Sequence, residues 1–199
     1  MMPRLEIYKL PMSTLLTHNT TQHNTTYVTT YAMTEPKKHR WSRDNHLIST
    51  DKSLLSASSI NAAFSQDWVY WTQAYPEAIL QEIINNSLCL GLYKTSETHD
   101  PNAPEQIGFA RLITDSTTFA YFTDLYVLPE HQGQGLGSWL IDCVGEVVSS
   151  MPHLRWAMLR TSGVKSKETY ERRLGMGVLA QNDAAKGVVM MGRKGSGGV

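Results

Sequence analysis

The sequence predicts an α/β fold with a mixed sheet. Three observations carry this expectation. From about His46 onward, short apolar runs bounded by turn residues interchange with stretches whose apolar residues recur every three or four positions. Three strand-like runs follow one another with only turns between them, which implies antiparallel neighbours. A glycine-rich turn then leads from a strand directly into the clearest amphipathic helix of the chain.

The elements follow in order. Leu47-Ile48-Ser49-Thr50-Asp51 reads as a short first strand. Ser58-Ser59 opens a helix through Ile60, Ala63, Phe64 and Trp68. Tyr70-Trp71 and Tyr75 form an aromatic connection. Pro76 suits a first helical position, followed by Ile79, Leu80, Ile83 and Ile84 on one face. Leu88–Tyr93 reads as a buried strand, and Thr95–Gln106, with Pro101 and Pro104, as a turn or long hairpin loop. Ile107–Ile113 and Phe119–Val127 are the next two strands, turned at Asp115-Ser116 and stopped by Pro129. Gln134–Met151 is a helix with Leu136, Leu140, Cys143, Val144 and Val147 as its apolar stripe, ended by Pro152. Trp156–Leu159 is a strand, Lys167–Leu174 a short helix ending at Gly175, and Val178-Leu179 and Val188–Met191 two closing strands.

Residues 1–45 differ from the rest. Nine Thr fall between Thr14 and Thr34, and no amphipathic period holds there, so a polar extension is expected before a domain spanning 46–194. This extension lacks the apolar core of a secretory signal. Its few acids and many hydroxyls leave a mitochondrial address as the alternative to a cytoplasmic location. Residues 195–199, rich in glycine, read as a flexible tail.

Composition excludes several classes. The 199 residues include 41% hydrophobic types, enough for a packed core. Eighteen Lys and Arg against 18 Asp and Glu give no net charge, which argues against a nucleic-acid partner. No apolar run approaches the ~18 residues needed to span a bilayer, so no membrane partner is expected. Two Cys rule out a disulfide scaffold, and the seven His show no metal-ligand spacing, so no metal is expected. The balance is uneven along the chain. Residues 46–159 carry four Lys or Arg against twelve Asp or Glu, and residues 160–199 carry eight against three. An acidic middle beside a basic end would serve a cationic substrate and an anionic cofactor, or is ordinary surface variation.

The chemistry concentrates in Asp124-Leu125-Tyr126-Val127-Leu128-Pro129-Glu130-His131-Gln132-Gly133-Gln134-Gly135-Leu136-Gly137-Ser138. Glycines lack Cβ, so backbone amides there can approach a ligand. The first amides of a helix have no internal partner, and the helix dipole adds positive character at the same end. Together these form a pyrophosphate site. A Walker loop requires Gly-Lys-Ser/Thr, and Gly137 is followed by Ser138-Trp139, so that reading fails. A dinucleotide fingerprint requires Gly-x-Gly-x-x-Gly, which the spacing of 133, 135 and 137 matches poorly. The pattern Gln/Arg-x-x-Gly-x-Gly/Ala is met in full by Gln132, Gly135 and Gly137.

On these residues, set between this strand and this helix, the chain resembles the GNAT superfamily of N-acetyltransferases, and within it a subgroup of small bacterial and fungal members. The resemblance runs from about His46 to Lys194 and is strongest from Phe109 to Leu140. It implies a mostly antiparallel sheet flanked by helices, with splayed central strands. It also implies acetyl-CoA as co-substrate, bound by Gln132, Gly133, Gln134, Gly135, Leu136, Gly137 and Ser138 at the diphosphate. Leu125, Tyr126 and Val127 would run along the pantetheine arm, one of their amides polarising the thioester. An amine would attack directly in a ternary complex.

Tyr170 is the candidate general acid, although Tyr170 to Gly175 holds one residue more than the family run. Asp124 is the candidate base, with a salt-bridged Asp as the alternative. Phe109, Arg111, Trp71 and Tyr75 would line the acceptor side, or belong to the core. The resemblance implies a small-molecule amine as partner and leaves a homodimer open. A non-catalytic acyl-CoA-binding module on the same fold and a nucleotide-binding protein stand as alternatives. Cys89 and Cys143 sit in apolar surroundings and read as packing.

Overall fold

The computed structural model describes residues 15–22, 25–32, 38–95, 104–182 and 188–194. The chain divides into two units, Met1–Lys37 and Lys38–Val199. In the first, β1 (Leu15–Gln22) and β2 (Thr25–Ala32) pair antiparallel from Leu15 opposite Ala32 to Gln22 opposite Thr25. The threonine-rich stretch read as an extension thus contains strand pairing, consistent with the β preference of Thr.

The second unit is built on an eight-stranded sheet. Its strands are β3 (Arg40–Arg43), β4 (His46–Ser49), β5 (Leu88–Lys94), β6 (Glu105–Thr114), β7 (Phe119–Val127), β8 (Trp156–Thr161), β9 (Gly177–Asn182) and β10 (Val188–Lys194). They lie in the order β3-β4-β5-β6-β7-β8-β10-β9. Every neighbouring pair is antiparallel except β7 and β8. β3 falls inside the segment expected to be extension. With one apolar residue in four, Trp41, it carries too little hydrophobic pattern to be seen as a strand.

Among the described residues four α-helices cover the sheet: α1 (Ala57–Phe64), α2 (Glu77–Asn85), α3 (Leu136–Ser149) and α4 (Val164–Leu174). α1 starts where Ser56 accepts a hydrogen bond from the Ser59 amide, two residues before the predicted opening. It stops before Trp68, where the Ser65 hydroxyl and the Gln66 side-chain amide bond back to the carbonyls of Asn61 and Ala62. Pro76 lies at the cap of α2 rather than inside it. α4 begins three residues earlier than its apolar pattern suggests.

Two apolar clusters fill the layers. Ile60 and Phe64 of α1 and Leu80 and Ile84 of α2 pack with Cys89, Phe109 and Tyr126. Leu136, Leu140, Val144 and Val148 of α3 and Leu174 of α4 pack with Ala120, Phe122, Ala157 and Leu159. α3 is the crossover that a parallel pair requires, and it joins β7 to β8. Among the described residues, no helix is long and apolar enough to cross a membrane.

Gly91 and Tyr93 of β5 form one tight spot. A Cβ at Gly91 would lie 2.0 Å from Tyr93 Oη, so only glycine lets the ring fold back over its own strand. The ring is fully buried, and among the described residues its hydroxyl has no hydrogen-bond partner. Burial pushes its ionisation upward, so it stays a neutral, unsatisfied donor. Tyr93→Phe removes this uncompensated polar group and is expected to raise unfolding stability by up to about 1 kcal/mol. Gly91→Ala is expected to lower it by about 1–3 kcal/mol through overpacking. Urea titration of both variants reads the two opposite signs.

Candidate active site

The site begins with a fault in the sheet. β7 pairs with β8 from Phe119 opposite Trp156 to Phe122 opposite Leu159, and no further. Both strands continue, to Val127 and Thr161, so they part and leave a wedge. On its other side β7 stays paired with β6, but the register slips between Phe109 and Arg111. Ala110 there stands opposite both Asp124 and Leu125, a β-bulge. Asp124 takes φ +50°, a left-handed conformation that Asp tolerates better than most residues.

The bulge is held by an ion pair. Arg111 Nε donates to Asp124 Oδ2 at 2.6 Å, and Arg111 Nη1 donates to the Ser87 hydroxyl at 3.2 Å. Thr123 Oγ1 donates to the other carboxylate oxygen at 3.2 Å. The Arg111 side chain is 16% exposed and that of Asp124 7%. Of the expected acceptor-side residues, Arg111 is therefore committed to Asp124 and lines neither cavity described below. The bulge explains this, because it turns Asp124 onto the face that Arg111 occupies. Asp124 does line the wedge, as a salt-bridged carboxylate.

Two cavities open along the wedge. The first, of about 490 Å³, is lined by Asp124 and Leu125 of β7, Arg160 and Thr161 of β8, and Tyr170 of α4, with Tyr70 and Trp71 from the α1–α2 connection. The second follows Leu125, Tyr126 and Val127 to Gln132, Gly133, Gly135, Leu136, Gly137 and Ser138, with Trp68 and Trp71 opposite. Leu125 and Trp71 border both, so the cavities meet there.

The far end of the second cavity is the glycine loop. Gly133 and Gly135 take φ +80° and +76°, which L side chains rarely adopt. Gly135 caps α3 with no side-chain hydrogen bond, and the first backbone bond of the helix runs from the Trp139 amide to Gly135 O. The amides before Trp139 are thus the unpaired start of a helix. Gln132 serves the loop differently. Its side-chain amide donates to Val127 O at 2.8 Å and ties the loop to the end of β7. Gln134 does not line the cavity; its carbonyl accepts from Arg43 Nη2 at 3.2 Å. Loop shape, backbone amides and the adjoining cavity fit the diphosphate and arm of a coenzyme A ester.

Arg43 is a site neighbour that sequence reading missed, since it lay in the presumed extension. It stacks over Trp139 at 5.5 Å and brings a cation to the loop. His46, held below its ordinary pKa by burial and then by His131 and Arg43, marks the same corner. The alternation of Trp41 and Arg43 on β3 was the available signal. Trp41 Nε1 donates to Glu146 of α3 at 2.7 Å, so both residues reach the same helix.

Tyr170 is placed by α4. Leu174, one turn on, is buried in the core, and a Cβ at Gly145 of α3 would lie 2.8 Å from it. Gly175 closes the helix at φ +61°, so the extra residue is absorbed as regular helix. Burial, then the neighbouring Tyr70, raises the pKa of Tyr170, which keeps its phenol protonated. Phe109 is 1% exposed and packs with Tyr126 inside the core. Tyr75 bonds Asn61 and Thr72 and packs on Phe64. Neither residue lines a cavity, so of the four expected acceptor-side residues the structure brings only Trp71 there. Burial pushes both thiols, Cys89 and Cys143, up to about 12. Among the described residues no three potential metal ligands gather.

A Gibberella zeae protein, FG08082, whose name assigns it provisionally as an acetyltransferase, is 40% identical over 162 residues, covering 76% of this chain and 90% of its own. The chain belongs to the GNAT acetyltransferase family. The family model described as "Acetyltransferase (GNAT) domain" matches residues 98–175, which span β6 to α4. Among solved structures, the ribosomal-protein-S5-alanine acetyltransferase of Vibrio fischeri aligns with a TM-score of 0.55 at 11% identity, over 78% of this chain and 96% of that one. The spermidine N-acetyltransferase of Vibrio cholerae, in complex with CoA and spermine, aligns at 0.52 and 18% identity, over 70% and 88%. At such identities these two show the GNAT fold alone.

Removing the carboxylate of Asp124 would strand a mostly buried guanidinium. Asp124→Ala is expected to cost about 3 kcal/mol. The double change Asp124→Ala with Arg111→Met is expected to recover part of that loss, and thermal unfolding of the three proteins measures it.

Proposed function

We propose that this GNAT acetyltransferase moves an acetyl group from acetyl-CoA to a primary amine of a small molecule, within a ternary complex. The observation that carries the reading is the meeting of the two cavities at Leu125 and Trp71. One cavity ends on unpaired helix amides suited to a diphosphate. The other holds a protonated phenol and aromatic walls suited to an acceptor. Bound acetyl-CoA would supply an acetyl thioester at their junction.

The chain's own residues then divide the work. The amides of the loop from Gly133 to Ser138 hold the diphosphate. β7 offers the backbone of Leu125, Tyr126 and Val127, on the edge that β8 has left, to the amide groups of the arm. An amide of Leu125 or Tyr126 polarises the carbonyl. The reaction exchanges a C–S bond for a C–N bond. The amine enters as its free base, its extra proton having passed to solvent; the second proton it loses as the amide forms passes through solvent to restore the Tyr170 phenol, so that one proton moves overall from nitrogen to sulfur. Tyr170 Oη holds the proton that the departing sulfur takes, and its raised pKa keeps that proton in place at neutral pH. Asp124, paired with Arg111, acts by keeping the bulge in shape. A small acceptor is favoured because Tyr70 Oη and Ser162 Oγ share a hydrogen bond of 2.8 Å that links two walls of the acceptor cavity.

Two measurements test this reading. Calorimetric titration is expected to show coenzyme A binding. Gly135→Val, which forces a β-branched residue into φ +76°, is expected to weaken binding by about tenfold or more. Uptake unchanged by that substitution would remove the loop from the site. Free-thiol release with an amine panel is expected to show turnover, with kcat about 10²–10⁴-fold lower in Tyr170→Phe. The alkaline limb of the unsubstituted enzyme is expected to lie above the ordinary tyrosine range, since the raised pKa of Tyr170 postpones loss of its proton.

A further inference from the structure

The charges in the acceptor cavity name a class of acceptor. Asp124 and Arg160 are the two charged residues that line it. Asp124 is neutralised by Arg111 at 2.6 Å. Arg160, on the β8 side of the wedge, is exposed, and among the described residues no carboxylate pairs with it. The cavity therefore carries one uncompensated positive charge. The other described carboxylates in the acidic middle of the chain stand elsewhere than on these walls, which favours ordinary surface variation over a cationic-substrate site. A polyamine would bring a second cation toward that charge, whereas an acceptor with its own anion would complete it.

We infer that the acceptor is a small primary amine that also carries a carboxylate, such as an amino acid, with Arg160 receiving the carboxylate. The inference rests on the acetyl-transfer reading above and deepens it. A guanidinium presents parallel N–H donors that match the two oxygens of a carboxylate. The walls supply the rest of the fit. Tyr70, Trp71, Tyr121 and Tyr170 give apolar faces to an acceptor's side chain, and Thr161 and Ser162 give hydroxyls beside Arg160. A volume of about 490 Å³ accommodates a single amino acid beside the end of the cofactor arm.

Matched amines test the inference. Phenylalanine is compared with phenethylamine, and β-alanine with propylamine, by thiol release. Calorimetric binding of N-acetylphenylalanine and N-acetylphenethylamine gives a readout free of turnover. The carboxylate member of each pair is expected to be favoured by about tenfold or more, the range of one charge-assisted contact. In Arg160→Ala the preference is expected to shrink to within about threefold, chiefly through KM and product affinity, and Arg160→Lys is expected to keep part of it. Coenzyme A titration and the unfolding midpoint of each variant report that fold and loop are intact.

Equal use of the paired amines by the wild-type enzyme overturns the inference and leaves acetyl transfer standing. So does a preference that survives Arg160→Ala, or better turnover of a peptide amino terminus or a polyamine than of any amino acid. Absence of thiol release from every amine, with coenzyme A bound, instead removes the acetyl-transfer reading and this inference with it.

Discussion

The Arg111–Asp124 pair is the constraint on which the site depends. A strand at the middle of a sheet ordinarily has its backbone groups taken up on both edges. Here β7 must release one edge while staying bound on the other. The bulge opposite Ala110 lets it do so, and the bulge requires a residue at φ +50°. Asp tolerates that conformation, and its carboxylate locks it by reaching the guanidinium one strand away. Conformational strain, charge pairing and strand divergence thus meet at one position. Both partners are mostly buried, so the arrangement is stable only while each has the other.

Much of the fold was legible because it follows from periodicity. The bounds of β7 coincide with the predicted strand, and α3, Leu136–Ser149, lies within the predicted helix Gln134–Met151, two residues shorter at each end. What escaped reading was carried by one or two residues. β3 is four residues long with a single half-buried aromatic, and in so short an edge strand the alternation of Trp41 and Arg43 is too brief a pattern to mark a strand. Phe109 and Tyr75 looked like substrate walls by their place in the chain. Yet aromatic rings near a sheet are drawn to one another, and here Phe64, Tyr75, Phe109 and Tyr126 form part of one cluster beneath α1 and α2.

The glycine loop was legible as a motif, but the division of labour within it was not. Its spacing announces amides available to an anion. It does not say that Gln132 spends its side chain on Val127 O, or that Arg43 comes from the edge strand β3 to hold Gln134 O. Those contacts come from elements distant in sequence, and only a folded chain brings them together. The charge of the acceptor cavity is of the same kind. Regional composition left an acidic site and ordinary surface variation both open, and a single guanidinium partner neutralises the one carboxylate that lines the cavity among the described residues.

The short β7–β8 seam has a mechanical consequence. β3 to β7 form one leaf of the sheet, and β8, β10 and β9 form the other. The backbone ladder between them runs only from Phe119 to Phe122, with α3 as the covalent bridge. A molecule seated in the gap and bonded to β7 would act as the missing rungs, stiffening a joint that the polypeptide leaves half-laced. Occupancy and rigidity of the two leaves are then one property of the enzyme.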